Sequence, residues 1–199
     1  MPLVDAARRR ELLQRARNAI DRAIGAEPPI PGPQSPIANP QSRIPGSETT
    51  TPGDEVRAGA FVTLRVSGSL RGCVGYPDPS LPLVEVVERC AVSAATGDPR
   101  FPAVTPLEWD RVDLEISVLG PIEPVRDISD VKVGRDGLIV EFGSRRGLLL
   151  PQVATEWNWD AFEFASQTCA KAGLPKDAWQ KGAKLFKFEA EVFGESESR

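Results

Sequence analysis

A proline-rich stretch near the start of the chain limits what can fold on either side of it. Proline lacks a backbone N–H and has a fixed φ angle, so closely spaced prolines can continue neither a helix nor a strand ladder. Eight prolines lie between residues 27 and 53. We therefore predict that residues 27–58 form an extended linker, mobile or laid over the surface, between an N-terminal helix and a folded core. A ligand for a proline-recognition groove is the alternative interpretation.

The segment before the linker has the pattern of an amphipathic helix. Apolar residues recur at three- and four-residue spacing from Leu12 to Ile24, and Gly25 stands where a helix C-cap would fall. We expect residues 1–26 to pack on the core with a solvated basic face on the other side, and binding of an acidic partner is the alternative for that face. The basic residues are Arg8, Arg9, Arg10, Arg15 and Arg17.

The core, residues 55–194, contains two successive sets of the same patterns. Each set has a hairpin of two short strands, then a helical pattern, then an alternating strand. We predict an α+β fold in which a strongly curved, mostly antiparallel sheet carries flanking helices, with an internal duplication. We count the chain as one domain with a short tail at 195–199. The elements of the first set are the hairpin 61–74, the helix 81–96 and the strand 112–119. Those of the second set are the hairpin 138–150, a helix that is capped by Asn158 and runs to about residue 172, and the strand 186–192.

The net charge, the lengths of the apolar runs and the residue composition exclude several classes of function. The formal net charge of −4 argues against a general nucleic-acid binder, which usually carries a basic excess. No apolar run has the length of a membrane span and no signal-peptide core is present, so we expect a cytoplasmic protein without a membrane partner. None of the 199 residues is histidine. That absence excludes a serine–histidine–aspartate triad, a cysteine–histidine pair and a histidine-ligated metal.

The three cysteines differ in their surroundings. Their odd number and wide spacing favour free thiols over disulfides, and the spacing fits no compact iron–sulfur pattern, so we expect no metal and no cofactor. Cys90 and Cys169 fall on apolar faces of predicted helices and are expected in the core. Cys73 lies between Gly72 and Gly75, whose backbone freedom lets another group approach closely.

Cys73 is therefore the candidate catalytic residue. The neighbouring Arg71 would favour its thiolate, and its proton would leave through a carboxylate, Tyr76, a lysine, water or a partner. Arg71 and Arg100 form a candidate anion site, and Glu115 is a candidate base if its face of the strand lines a cleft. The alternatives remain open at this point. Cys73 would then be a small core hydrophobe, the arginines structural ion pairs, and Glu115 an ordinary solvated side chain.

Four blocks of sequence, in order along the chain, resemble the AMMECR family. The first joins residues 61–64 to the motif 70–75, and the others are 98–102, 147–154 and 169–174. The resemblance covers essentially the whole chain, with the proline-rich stretch as a lengthened connection. Gly72, Gly75 and Gln152 lie within these blocks and are candidate binding residues.

The chain departs from the usual family pattern at two places. Val74 and Tyr76 stand where isoleucine and threonine are common. Arg135 and Asp136 stand where relatives often have lysine and histidine before Gly137. The second departure weakens any mechanism that needs a histidine from that loop.

The resemblance implies a larger and a smaller lobe, with a cleft edged by the motif that contains Cys73. Prokaryotic members are called AmmeMemoRadiSam system protein A, and they are associated with a Memo-like protein, itself similar to dioxygenases, and with a radical SAM enzyme. We therefore expect the A component of such a system, whose cleft binds or modifies a small molecule or a partner's product. The alternative is a non-enzymatic adaptor for protein or nucleic acid, favoured by the basic helix face and by Trp157, Trp159 and Trp179.

Overall fold

The computed structural model describes residues 3–25 and 56–195, so the predicted linker and the predicted tail lie almost wholly outside the described residues. Five α-helices and seven strands make up this part of the chain, with short 3₁₀ turns at Ile128–Asp130 and Ala178–Gln180. The helices are α1 (Ala6–Gly25), α2 (Leu83–Thr96), α3 (Pro106–Trp109), α4 (Pro151–Glu156) and α5 (Ala161–Lys171). The strands are β1 (Ala60–Val66), β2 (Ser69–Tyr76), β3 (Val112–Leu119), β4 (Glu123–Pro124), β5 (Asp136–Phe142), β6 (Arg145–Leu149) and β7 (Lys184–Gly194).

The strands form one sheet whose order reads the same from both ends. The path is β2-β1-β3-β7-β5-β6, with β4 beside β7, and every pair of these strands is antiparallel. In each half the first strand lies between the second and the third, and a helix follows the second strand. β7 joins the halves because its last residues pair with β3 and its first residues pair with β5. The predicted α+β fold with a curved antiparallel sheet is confirmed, and this order is what an internal duplication produces.

The first hairpin contains a tight turn and a bulge. Ser67 and Gly68 both have positive φ angles, 51° and 79°, which match the right-handed twist of the two strands. The register pairs Leu64 with Gly72 but Arg65 with Leu70. Arg71 is therefore an extra residue in β2, and the bulge turns its side chain away from the regular pleat.

Two apolar cores define a larger and a smaller lobe. In the larger lobe, α1 and α2 cover one face of β1 and β3, with Leu12, Leu64 and Ile116 fully buried between them. In the smaller lobe, α5 covers the same side of β5, with Phe164 and Cys169 fully buried. The core positions predicted for Cys90 and Cys169 are confirmed, since each is at most 3% exposed.

A glycine allows a helix to approach the edge strand closely in each lobe. A Cβ atom on Gly72 would lie 2.1 Å from the carbonyl oxygen of Ala94 in α2. A Cβ atom on Gly147 would lie 2.7 Å from the carbonyl oxygen of Thr168 in α5 and 2.7 Å from the backbone nitrogen of Ala172. Neither position can hold a side chain without moving the helix, and the two glycines occupy equivalent places in the two halves.

The basic face of α1 is used to attach the helix rather than left to solvent. Three of its arginines contact carboxylates from other parts of the chain, so the expectation of a simply solvated face is wrong for them. A single ion pair near the surface contributes little stability, but together these three half-buried pairs fix where α1 lies. The pairs are Arg9 with Glu191 at 2.5 Å, Arg15 with Glu88 at 3.6 Å, and Arg17 with Glu195 at 2.6 Å.

The last helix begins later than the sequence predicts. Asp160 is its N-cap, because the Asp160 carboxylate accepts a hydrogen bond from the backbone N–H of Glu163 at 2.8 Å. Asn158 instead has a φ of 52°, in the left-handed region that asparagine tolerates. The predicted cap at Asn158 is therefore wrong by two residues, since Asp160 is the cap and α5 begins at Ala161.

Replacing Gly147 with alanine should destabilise the smaller lobe. The new methyl group would push against the backbone of α5, and overpacking of this kind costs about 1–3 kcal/mol. Gly25→Ala is the matched control, because nothing lies within 4 Å of the point where its Cβ atom would stand, and a change within about 0.5 kcal/mol is expected there. Urea unfolding measures both free energies. Equal stability of the two variants would contradict the close approach.

Candidate functional site

Cys73 lies on the edge strand β2, on the face that the helices leave uncovered. Successive side chains along a strand point to opposite faces, and the neighbouring Gly72 faces α2. The Cys73 side chain therefore points away from the helices. It is the one cysteine of the three that is partly exposed, whereas Cys90 and Cys169 are buried.

This uncovered face is the concave side of the sheet. Phe61 of β1 and Leu148 of β6 come from opposite halves of the strand path, yet both pack against one apolar cluster centred on Leu119, Ile139 and Phe188. Ile139 and Phe188 are at most 2% exposed although no helix of the described residues packs on this face, because the sheet curls around them. Cys73 therefore opens toward the inside of the curl.

A thiol, a hydroxyl and a carboxylate form a row across three strands on the concave face. Thr63 of β1 lies opposite Cys73 of β2 and, on its other side, opposite Glu115 of β3. Directly opposite residues in antiparallel strands share a face. The Thr63 hydroxyl Oγ1 donates a hydrogen bond to Cys73 Sγ at 3.3 Å. We call these three residues the polar row.

Glu115 stands at the far end of the polar row. Within the described residues its carboxylate has no hydrogen bond or ion pair, so it can accept a proton or a ligand donor. Two strand spacings, about 10 Å of backbone, separate it from Cys73. A proton passing between the two would therefore need Thr63, water or a ligand in between. Thr63 was not predicted from the sequence, although the alternation in 61–66 already sets it on the same face as Phe61.

An apolar wall borders the polar row. Phe61 is two residues from Thr63 on the same strand, and its ring lies over Gly75, where a Cβ atom would be 2.0 Å from the ring. The same arrangement occurs in the smaller lobe, where a Cβ atom on Gly137 would be 2.4 Å from the ring of Phe188. Gly75 thus has a packing role, whatever its part in binding.

Asp98 and Arg100 hold the backbone of Cys73 from outside the sheet. The Cys73 N–H donates to Asp98 Oδ2 at 2.9 Å, and Arg100 Nη2 donates to the Cys73 carbonyl oxygen at 3.2 Å. Arg100 also donates to both oxygens of Asp98, at 2.9 and 2.7 Å. An edge strand leaves such backbone groups open, so this pair, which we call the edge clamp, satisfies the backbone of β2 at the thiol.

The edge clamp is charged. Hydrogen bonds from Arg100 hold the pKa of the buried Asp98 carboxyl far below its ordinary value of 3.8, against the opposing effect of burial. The same pairing with Asp98 raises the pKa of Arg100. The Arg100 side chain is 54% exposed and its Nη1 has no hydrogen-bond partner among the described residues. Arg100 can therefore contact an anion without releasing Asp98.

Arg71 is occupied by structural contacts. It donates to both carboxylate oxygens of Glu108, at 3.1 and 2.9 Å, and to the carbonyl oxygens of Pro102 and Ala103, at 2.7 and 3.2 Å. Its side chain is only 14% exposed. This geometry favours the structural interpretation of Arg71, as a link between the bulge in β2 and the start of α3, over a role in an anion site.

The other sequence-predicted residues lie apart from the polar row. Gln152 is in the first turn of α4 in the smaller lobe, and no contact described in the structure joins it to Cys73. Asp136, the first residue of β5, is 1% exposed, accepts the backbone N–H of Lys132 at 2.9 Å and pairs with Arg135 at 2.6 Å. Asp136 therefore closes the turn before β5.

Two cavities of about 430 and 410 Å³ occur elsewhere in the molecule, and Cys73 lines neither of them. In residues 3–25 and 56–195, no group of three or more cysteine or carboxylate residues is arranged to hold a metal ion. Over the same residues, no helix has both the length and the apolar character needed to cross a membrane.

These features define a two-lobed α+β protein, built on one curled antiparallel sheet, with a partly exposed thiol at a clamped sheet edge. A model of the AMMECR1 family matches residues 13–193. The chain belongs to the AMMECR1 family, so the resemblance carried by the four sequence blocks is confirmed.

The relatives include archaeal proteins with substantial identity. A protein of Methanothermobacter thermautotrophicus is 54% identical over 146 residues, which cover 70% of this chain and 76% of that protein. Protein MJ0810 of Methanocaldococcus jannaschii is 48% identical over 152 residues, covering 72% and 76% of the two chains. The crystal structure of the uncharacterized protein PH0010 from Pyrococcus horikoshii superimposes with a TM-score of 0.77 at 41% identity, over 93% of this chain and 90% of that one.

Iodoacetamide should alkylate the native protein at Cys73 alone. Burial raises the pKa of the Cys90 thiol to about 12 and also raises the pKa of Cys169, so neither is a ready nucleophile in the folded state. Intact-mass measurement should show one adduct on the native chain and three after denaturation, because the chain has three cysteines. Modification of Cys90 or Cys169 before Cys73 would contradict this placement.

Replacing Asp98 with asparagine should lower the free energy of unfolding by about 2 kcal/mol at neutral pH, because hydrogen bonds to a charged group contribute on that scale. Because the folded-state pKa of Asp98 is lowered, its contribution is full above the unfolded-state pKa of about 3.9 and is lost as the pH falls toward the folded-state value. The difference in the free energy of unfolding between wild type and variant should therefore be constant above about pH 5 and shrink below about pH 4.

Urea unfolding at several pH values measures this difference. The matched control is Asp110→Asn, which removes an equal charge from an exposed side chain and should change stability by less than about 0.5 kcal/mol. If the difference in the free energy of unfolding between wild type and Asp98→Asn stayed the same at the lowest pH measured, a charged edge clamp would be excluded.

Proposed function

We propose that this protein is the A component of an AmmeMemoRadiSam system and uses a cleft at Cys73 to bind or modify a small molecule or a partner's product. In this proposal it works with a Memo-like protein and a radical SAM enzyme. Membership of the AMMECR1 family over residues 13–193 supports the association. The observation that carries the assignment to this site is a partly exposed thiol that receives a hydrogen bond from Thr63.

The chemistry of the polar row fits a thiol that reacts or binds. The hydrogen bond that the Thr63 hydroxyl donates to Cys73 Sγ at 3.3 Å fixes the direction in which the sulfur points. The edge clamp holds the Cys73 backbone on both its N–H and its carbonyl, so the thiol is presented from a fixed position. Arg100 leaves a donor for an anionic group, and Phe61, on the same face as the polar row, offers an apolar surface. A small molecule with an anion and an apolar part suits these groups.

The Cys73→Ser variant should fold normally and lose the function. Serine keeps the size and a hydrogen-bonding group but lacks a nucleophile of thiolate strength, so product formation should fall by roughly a hundredfold or more. The assay combines this protein with purified Memo-like and radical SAM proteins, under anaerobic conditions, and compares the small-molecule products by mass spectrometry. Thermal unfolding of the variant reports whether the fold is intact.

Cys90→Ala is the matched control, because it removes a thiol from the opposite side of the sheet and leaves Cys73 in place. It should retain product formation as long as the protein remains folded. If the wild type and Cys73→Ser gave equal product, a chemical role for the thiol would be rejected. The adaptor hypothesis would then take its place, supported by the exposed rings of Trp157 and Phe162, at 67% and 55%.

A further inference from the structure

The cavity of about 430 Å³ lies in the smaller lobe, away from Cys73. It is bounded by the segment that leads out of β4 and by the segment that leads into β7. Its volume is in the range of sites that hold small organic molecules. None of its lining residues belongs to the polar row or the edge clamp. The residues that matter for its chemistry are Arg126, Ile128, Trp179, Lys184 and Phe186.

Two cations line this cavity without a carboxylate partner. Within the described residues, neither Arg126 nor Lys184 makes an ion pair or a side-chain hydrogen bond. Lys184 lies opposite Glu141 in the β5–β7 register, but the Glu141 carboxylate contacts Arg146 at 3.2 Å. Two positive groups at one cavity leave a site with an unneutralised charge, which favours an anion.

Two carboxylates lie close in sequence to residues that line the cavity, Asp127 beside Arg126 and Asp177 near Trp179, and both are used elsewhere. Asp127 accepts hydrogen bonds from the backbone N–H and the hydroxyl of Ser129, at 2.8 and 2.6 Å. Asp177 pairs with Lys181 at 2.6 Å. The charge at the cavity is therefore not cancelled by either of these groups.

The indole ring of Trp179 forms part of the apolar wall of the cavity. The ring of Trp179 lies edge-on to Phe162 at 5.6 Å between centroids, and its indole N–H donates to the Ser166 hydroxyl at 3.4 Å. These two contacts hold the indole in place before any ligand arrives. Phe186 also lines the cavity, but its side chain packs against the apolar cluster of the concave face, so Trp179 supplies the ring for a ligand. A planar aromatic group stacks well on such surfaces.

We propose that this cavity binds a small molecule that carries an anionic group on a planar aromatic body. The anion lies between Arg126 and Lys184, and the aromatic body lies against Trp179. A nucleoside monophosphate and an aromatic carboxylate share this chemistry. The volume admits one such molecule, and the net charge of −4 opposes a long polyanion, so single-stranded nucleic acid is not the expected ligand.

The test uses the indole N–H signal of Trp179 in a ¹H–¹⁵N spectrum of the full chain. The chain has four tryptophans, and loss of one signal in Trp179→Phe identifies it. AMP and 1-naphthoate, at up to millimolar concentration, are the two anionic probes. Adenosine, which lacks the phosphate of AMP, is the uncharged control. We expect an anionic probe to shift the Trp179 signal with saturation. The probe that binds with the higher affinity identifies phosphate or carboxylate as the preferred anion.

The double variant Arg126→Ala/Lys184→Ala should weaken binding by roughly tenfold or more, since charged hydrogen bonds contribute on that scale. The matched control, Arg111→Ala/Lys171→Ala, removes two exposed positive charges that do not line the cavity and should bind like the wild type. The proposal is overturned if neither anion shifts the signal, or if adenosine binds as tightly as AMP and naphthoate fails. Unchanged affinity in the double variant, or much tighter binding of oligoadenylate than of AMP, also overturns it.

Discussion

The buried carboxylate of Asp98 determines how the exposed edge of the sheet is held. An edge strand has one row of backbone groups without strand partners, and β2 has this edge at the position of its cysteine. Asp98 accepts the backbone N–H there and is itself neutralised by Arg100, so a charge can remain buried. The thiol is consequently held at a rigid position on a strand that would otherwise fray or pair with another chain. The proposed chemistry at Cys73 depends on that rigidity.

The two lobes share a framework but differ in the row that faces the concave side. Both place a helix against a glycine of the edge strand, at Gly72 and Gly147, and both lay an aromatic ring on a glycine. The equivalent of the polar row in the smaller lobe is the apolar row Leu148, Ile139 and Phe186, which the register sets side by side. The same architecture thus supplies an apolar floor in one half and hydrogen-bonding groups in the other. The polar groups of the site proposed at Cys73 therefore come from the larger lobe.

The candidate residues differ in whether their polar groups are already bonded within the protein or remain open to a ligand. Arg71 and Arg100 have the same side chain and similar places in the sequence motifs, yet Arg71 is enclosed by Glu108 and two carbonyl oxygens while Arg100 keeps an exposed donor. Gly72 and Gly75 both have packing roles. Thr63 was not predicted from the sequence, because a threonine within an alternating strand has no local feature that distinguishes it. Thr63 becomes a candidate only because β2 lies beside β1 and places Cys73 opposite it.

The sequence by itself determined the hairpins, the main helices and the alternating strand at 112–119, because turn chemistry and apolar periodicity are contained within a few neighbouring residues. It also separated Cys73 from Cys90 and Cys169, since the latter two lie on apolar helix faces. Only the tertiary structure decided the strand order, the hydrogen bond from Thr63 to Cys73 and the edge clamp. Those contacts join residues far apart in the chain, and their energies depend on distances and burial that local pattern does not encode.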